Sequence, residues 1–307
     1  MSDVPLEDRY RGCLLGLAVG DALGGPVEFM SSAEISARHG RLREMVGGGW
    51  LELAPGEYTD DTQLALVIAR SIARLGSVAP ADIAGGFVAW YRSAPKDVGN
   101  TTSRSIRHLI AGASWREAGR ETDRAMGARG AGNGSLMRTA PIALACWPDR
   151  EALDRLGREV SAITHANRLA TGACVAFDRA LAAVLEGAGD PLAAAAGVDD
   201  ADVRAVVLAV PDLSHQEVRS GGFVLETLQA ALWSCARHDD FEETVVEAVN
   251  LGGDADTTGA VAGALAGACY GVSAIPARWL SVLQGRDELV ALADRLLEVA
   301  RTGQMGV

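Results

Sequence analysis

"LGGDADTTGAVAGALAGACYG", residues 251–271, sets two aspartates two residues apart, behind a glycine pair and ahead of an alanine-rich run. Alanine is the best helix former, so the run reads as a helix that starts beside Asp254 and Asp256. Two carboxylates this close repel each other unless positive potential lies between them. A helix N-terminus supplies part of that potential. A metal ion would supply the rest.

Helical patterns continue outward from this stretch. "YRGCLLGLAVGDALG", residues 10–24, places Cys13, Leu14, Leu17 and Ala18 on one stripe, with small residues that permit close helix contacts. "DDTQLALVIARSIARLG", residues 60–76, begins with acceptor side chains and ends at Gly76, a helix-stopping residue. Residues 80–94, 151–165, 167–189, 222–238, 240–253, 256–271 and 287–303 read as further helices. Period-2 runs bounded by turn residues are absent, and "GGGW", "APGEY" and "RGAGNGS" punctuate helices rather than strands. The expectation is an all-α fold: a compact helical bundle forming one domain over 1–307, since no linker-like segment divides the chain.

Composition narrows the function. Of 307 residues, 49% are hydrophobic, enough for a large core, and the formal net charge is −12. That charge repels phosphate backbones and disfavours nucleic-acid binding, while an anionic small ligand stays compatible with local donors. The N-terminus lacks a basic region leading into an apolar stretch, and "CLLGLAV" is too short to span a bilayer. Cys13, Cys146, Cys174, Cys235 and Cys269 stand singly among small or apolar residues, as expected of core thiols in a reducing cytoplasm rather than of a zinc site.

A second acidic cluster, Thr59–Asp60–Asp61–Thr62, repeats the grammar of the first. Taken alone it reads as a helix start, and D-x-x-Q resembles a capping box. A cap uses one side-chain oxygen, so the second carboxylate and second threonine are surplus. Together the clusters offer Thr59, Asp60, Asp61, Asp254, Asp256 and Thr257 as an all-oxygen set suited to Mg²⁺ or Mn²⁺. The supply of carboxylates suits two divalent ions, although the helix dipole at both N-termini works against cations.

Other stretches carry weaker signals. Asp97, in "KDVGNTTSRS", is expected on a loop, where an Asx-turn role competes with a functional one. "RGAGNGSLMRTAP" has three glycines around Asn133 that would let backbone approach a ligand, without a Walker or dinucleotide-binding pattern. His165 lies between two helical patterns, and Glu28 follows a Gly-Gly-Pro break.

In combination, "GLAVGDALGGPVEF", "YTDDTQLAL", "DVGNT", "GNGSLMR", "ITH" and "LGGDADTTGAVAGALAGACYG" resemble the ADP-ribosylglycohydrolase family across nearly the whole chain. They come nearest to its dinitrogenase-reductase-activating, arginine-directed branch. The resemblance implies a binuclear Mn²⁺ or Mg²⁺ centre on Thr59, Asp60, Asp61, Asp254, Asp256 and Thr257. It implies Asp97 as acid–base catalyst, with Glu28 beside the metals and the ribose. Asn100, Gly132, Asn133, Gly134, Ser135 and His165 would line the ADP-ribose cleft. The reaction implied is release of mono-ADP-ribose from arginine side chains of a target protein. In a nitrogen-fixing organism that target would be nitrogenase iron protein, with a PII-type regulator. Residues 115–130 and 213–223 depart from the pattern and are expected at the cleft mouth. A cytoplasmic monomer is expected. The rivals are O-linked ADP-ribose hydrolysis, an inactive ADP-ribose-binding member, and a metal-dependent phosphohydrolase.

Overall fold

The computed structural model describes residues 4–187 and 189–303. The chain forms α1 (Leu6–Gly24), α2 (Ser32–His39), α3 (Asp60–Leu75), α4 (Pro80–Arg92), α5 (Asn100–Ile110) and α6 (Trp115–Met126). It continues with α7 (Ala140–Cys146), α8 (Arg150–Ala162), α9 (Arg168–Glu186), α10 (Pro191–Ala196) and α11 (Ala201–Ala209). Then come α12 (Val224–Arg237), α13 (Phe241–Asn250), α14 (Ala255–Tyr270), α15 (Ala277–Val282) and α16 (Arg286–Thr302). Among the described residues there is no strand, only three isolated bridges, so the all-α expectation holds.

Glycine decides how the centre packs. Gly12, Gly16, Gly20 and Gly24 recur every fourth residue on α1 and so share one face. They meet Gly267, Gly263, Gly259 and Ala255 of α14 in reverse order, so the two helices run antiparallel with backbones touching. A Cβ built on Gly16 would lie 2.1 Å from the Gly263 carbonyl oxygen, and one on Gly20 would lie 1.9 Å from that of Gly259. Only hydrogen fits there. The antiparallel contact sets the C-terminal end of α1 beside the N-terminal end of α14. The residues that follow α1 and precede α14 therefore converge.

Around this pair a hydrophobic core runs from Tyr10 to Ala300. The Arg11 guanidinium spans α1 and α16 by donating to both carboxylate oxygens of Asp294, at 2.7 and 3.0 Å. Gly76 closes α3 in the left-handed conformation, φ 72°, with its N–H on the Ile72 carbonyl. Ala188, inside the helix expected over 167–189, lies outside the described residues, as do both extremes of the expected 1–307 span.

Several short helices are hard to read from apolar residues alone. The buried face of α5 is Thr101, Thr102, Ser103, Ser105 and Ile106, mostly hydroxyl-bearing, so an apolar count passes over it. Conversely, α7 is buried on all sides and has no polar face to set a period. Helix α6, within the stretch that departs from the family pattern, buries only Ala118, Gly119 and Thr122. Among the described residues no helix is long and apolar enough to cross a membrane.

Candidate active site

The two acidic clusters sit at the N-termini of α3 and α14 and open into one cavity of about 500 Å³. Neither cluster behaves as a cap. Thr59 and Asp254 hold the N-cap positions without a side-chain cap hydrogen bond, and Gln63 accepts from Trp90 Nε1 rather than closing a capping box. The Asp254 carboxylate instead accepts from Asn133 Nδ2 at 2.9 Å, and Asp256 from the Thr257 backbone N–H at 2.8 Å.

Glu28, Asp254 and Asp256 each direct an oxygen to within 4.8 Å of the others. Backbone ties hold this register. The Phe29 N–H donates to the Gly253 carbonyl at 2.7 Å, and the Gly253 N–H to the Met30 carbonyl at 2.8 Å. Gly252 and Gly253 take φ of 78° and 69°, the left-handed region that the turn into Asp254 requires.

So much negative charge under cover is uncomfortable. Asp60, Asp61 and Asp256 are buried, and their carboxyls are pushed well above the usual range, first by burial and then by neighbouring carboxylates. Glu28 is pushed up to about 8, mainly by burial, against the pull of the Trp50 Nε1 hydrogen bond at 2.8 Å. Burial also raises Asp97, while hydrogen bonds from Val98 and with Asp60 draw it partly back. No lysine or arginine lines the cavity among the described residues.

The donor set fits a divalent cation on two observations. Asp61 Oδ1 is buried with no hydrogen-bond partner among the described residues. Thr59 Oγ1 donates toward Asp21 Oδ1 at 2.9 Å and Asp61 Oδ2 at 3.3 Å, so one proton is divided between two carboxylates and its own lone pairs stay open. A hard cation satisfies both.

The remaining wall comes from α5, the glycine loop and His165. Asp97 stands on the loop ahead of α5, and Asn100 is the first residue of that helix. Asp97, Asn100, Gly132, Asn133, Gly134 and His165 all line the cavity. Ser135 turns the other way, into the core, where it accepts from Ser161 Oγ at 2.9 Å and from Cys174 Sγ. Burial, then the charge of Arg138, lowers His165 to about 3, so its ring is neutral. The buried Thr164 hydroxyl accepts from Arg138 Nη2 at 2.6 Å and shares a hydrogen bond of 2.8 Å with His165 Nδ1. The other ring nitrogen, Nε2, faces the bare edges of Gly132 and Gly134.

Three contributors escape a motif reading. Asp21 is fully buried in α1 and accepts from the N–H and hydroxyl groups of both Thr59 and Thr62, at 2.6 to 2.9 Å. Its signal was an aspartate inside an apolar helical stripe. Arg138 is a buried cation with Nε and Nη1 unpartnered among the described residues, its guanidinium stacked 4.4 Å from the Phe87 ring centroid. Thr102 lines the cavity with a buried hydroxyl likewise unpartnered. From the divergent 213–223 stretch, Gly222 reaches the cavity and accepts the Asn133 N–H.

The sequence model of the ADP-ribosylglycohydrolase family matches residues 2–304. ADP-ribosyl-[dinitrogen reductase] glycohydrolase of Rhodospirillum rubrum is 38% identical, covering 98% of this chain and 99% of its own. An ADP-ribosylarginine hydrolase of Serratia proteamaculans is 33% identical, covering 95% and 80%. A solved structure titled as an ADP-ribosylglycohydrolase-related protein complex superposes with a TM-score of 0.81 at 41% identity, over 96% of this chain and 99% of the other. A family match over almost every residue, joined to a cavity walled by the motifs themselves, places this chain in the ADP-ribosylglycohydrolase family.

Proposed function

We propose that the chain hydrolyses the bond between ribose C1″ of ADP-ribose and a guanidinium nitrogen of an arginine on a modified protein, with two divalent cations, Mn²⁺ or Mg²⁺. The observation that carries the reading is the convergence of Asp60, Asp61, Asp254 and Asp256 on one cavity that no lysine or arginine lines among the described residues, with Asp61 Oδ1 likewise lacking a partner. Thr59, Asp60, Asp61, Asp254, Asp256 and Thr257 would hold the cations. Bound there, the cations supply positive charge that offsets the carboxylates and polarises sugar and water oxygens.

The protein's own groups account for the rest. Hydrolysis adds water oxygen to C1″, and the electron pair of the broken C–N bond returns to the guanidine nitrogen together with a proton. Asp97, half-buried with a raised carboxyl, takes the proton that water brings and hands it to the leaving nitrogen. Glu28, fixed by Trp50, faces the sugar beside Asp254 and Asp256 as positive charge develops on the ring. The uncapped N-terminus of α5 and the Thr102 hydroxyl offer donors to the anionic pyrophosphate, with the His165 ring on the same cavity wall. The bare backbone of Gly132 and Gly134 lets that group come close.

The Rhodospirillum and Serratia relatives are both named as hydrolases of ADP-ribosyl groups, and the Serratia name supports arginine-linked ADP-ribose as substrate. The former also makes dinitrogen reductase, the nitrogenase iron protein, the first target to try. The test is release of ADP-ribose from an arginine-modified protein with Mn²⁺ and with EDTA, beside a serine-linked control. Release is expected only from the arginine linkage and only with the metal. Asp97→Asn should lower turnover by about 10²–10⁴-fold while Mn²⁺ still raises the melting temperature. Wild-type turnover in that variant removes Asp97 from the chemistry.

A further inference from the structure

Phe29 and Trp50 stand at the rim of the cavity, and the fold holds them there against ordinary preference. Phe29 is 69% exposed and Trp50 is 54% exposed, although rings of this size are usually well covered. Phe29 also adopts φ +66°, a strained conformation for a bulky side chain. Its N–H is pinned to the Gly253 carbonyl, so the strain is maintained by the same strap that carries Asp254.

Trp50 is fixed from the other side. Gly47, Gly48 and Gly49 all take positive φ, and Gly49 presses so near Pro26 that a Cβ would lie 2.8 Å from the Pro26 carbonyl oxygen. The indole N–H then reaches Glu28 Oε2, and the two ring centroids stand 5.7 Å apart with planes tilted by 35°. Both rings line the cavity, which the carboxylates of Glu28, Asp60, Asp97 and Asp254 also line.

A strained, exposed aromatic pair on a cavity that the Asp97 carboxyl also lines suits a planar cation. Aromatic faces attract guanidinium groups, and neighbouring negative charge adds to the attraction. We infer that Phe29 and Trp50 form the platform for the guanidinium of the modified arginine, and so select arginine-linked over hydroxyl-linked ADP-ribose. The inference rests on the proposed reaction and adds the feature that recognises its leaving group. Phe29 supplies ring face alone, whereas Trp50 both supplies ring face and orients Glu28.

The test compares two peptides carrying ADP-ribose on arginine or on serine, with Mn²⁺, and measures inhibition by free ADP-ribose. Phe29→Leu should raise KM for the arginine-linked peptide by roughly 2- to 30-fold, with the inhibition constant of ADP-ribose unmoved. Phe29→Tyr should restore KM. Trp50→Phe should keep KM near wild type and lower kcat, because the ring stays and the Glu28 hydrogen bond goes. An unchanged KM in Phe29→Leu, or a parallel rise in KM and in the ADP-ribose inhibition constant, overturns the platform while leaving the reaction standing. A wild-type enzyme inactive on the arginine-linked peptide overturns the proposed reaction, and the platform with it.

Discussion

Gly16→Ala adds one methyl group between α1 and α14, where the new Cβ would lie 2.1 Å from the Gly263 carbonyl oxygen. Ordinary contact begins at 3.4 Å, so the helices must part by about 1.3 Å or bend. Both surfaces are backbone and no side chain can swing aside, which puts the overpacking cost near the upper end of about 1–3 kcal/mol. Helix propensity acts in the opposite direction, favouring alanine over glycine by about 1 kcal/mol. The net expectation is a loss of about 2 kcal/mol, a fall in melting temperature of roughly 3 °C for a chain of this length. Gly85, in the interior of α4 with nothing within 4 Å of a built Cβ, isolates the propensity effect. Gly85→Ala should gain about 0.5–1 kcal/mol. Thermal and urea unfolding of both variants, without divalent ions, separates the two contributions. A Gly16→Ala protein at least as stable as wild type would refute the close-contact reasoning.

The acidic cavity makes two further outcomes measurable. Asp21 moves from 3.8 to about 6 on folding and Glu28 from 4.5 to about 8, with burial the main cause in each. The folded state therefore binds these protons more tightly; the stabilisation is complete below the unfolded values and disappears as pH rises through the folded ones. Metal-free protein should melt higher near roughly pH 5.5 than near roughly pH 8, and Mn²⁺ should raise the melting temperature most at the alkaline end. Steady loss of stability on acidification over that window would contradict this. Asp61→Asn removes a buried charge at constant volume, so metal-free protein should gain about 1–3 kcal/mol and lose its stabilisation by Mn²⁺. An undiminished Mn²⁺ effect in that variant would take Asp61 out of the ligand set.

The parts of this fold that show in the sequence are those where burial is one-sided. Helix α3 alternates apolar and polar residues at helical spacing and stops at a glycine, and both features survive into the structure. The paired Asp/Thr clusters show because they hold more acid than a helix start can use. Helix α5 stays hidden, since its inward face is built mostly of hydroxyl groups, of which Thr101 and Thr102 line the cavity and Ser105 binds Thr122 and the Thr164 carbonyl. Asp21 stays hidden for a different reason: its partners, Thr59 and Thr62, lie far along the chain, and only folding reveals that it orders them. Ser135 illustrates the reverse error. It shares a motif with cavity-lining residues, yet successive residues of a tight turn point in different directions, and this one faces Ser161.

The glycine-faced contact between α1 and α14 also fixes an order of events during synthesis. Gly20 and its partner Gly259 are separated by most of the chain. At about 5–20 residues per second a ribosome needs roughly 12–50 s between making one and making the other. Throughout that interval the first helix to emerge has no surface narrow enough to receive its bare flank, and its apolar length stays open to chaperones or to other nascent chains. Asp21 waits with it, since the cavity it helps to build gains Asp254 and Asp256 only when the late segment arrives. Newly made chains should therefore become able to bind Mn²⁺ in a single late step, after residue 270 has cleared the exit tunnel.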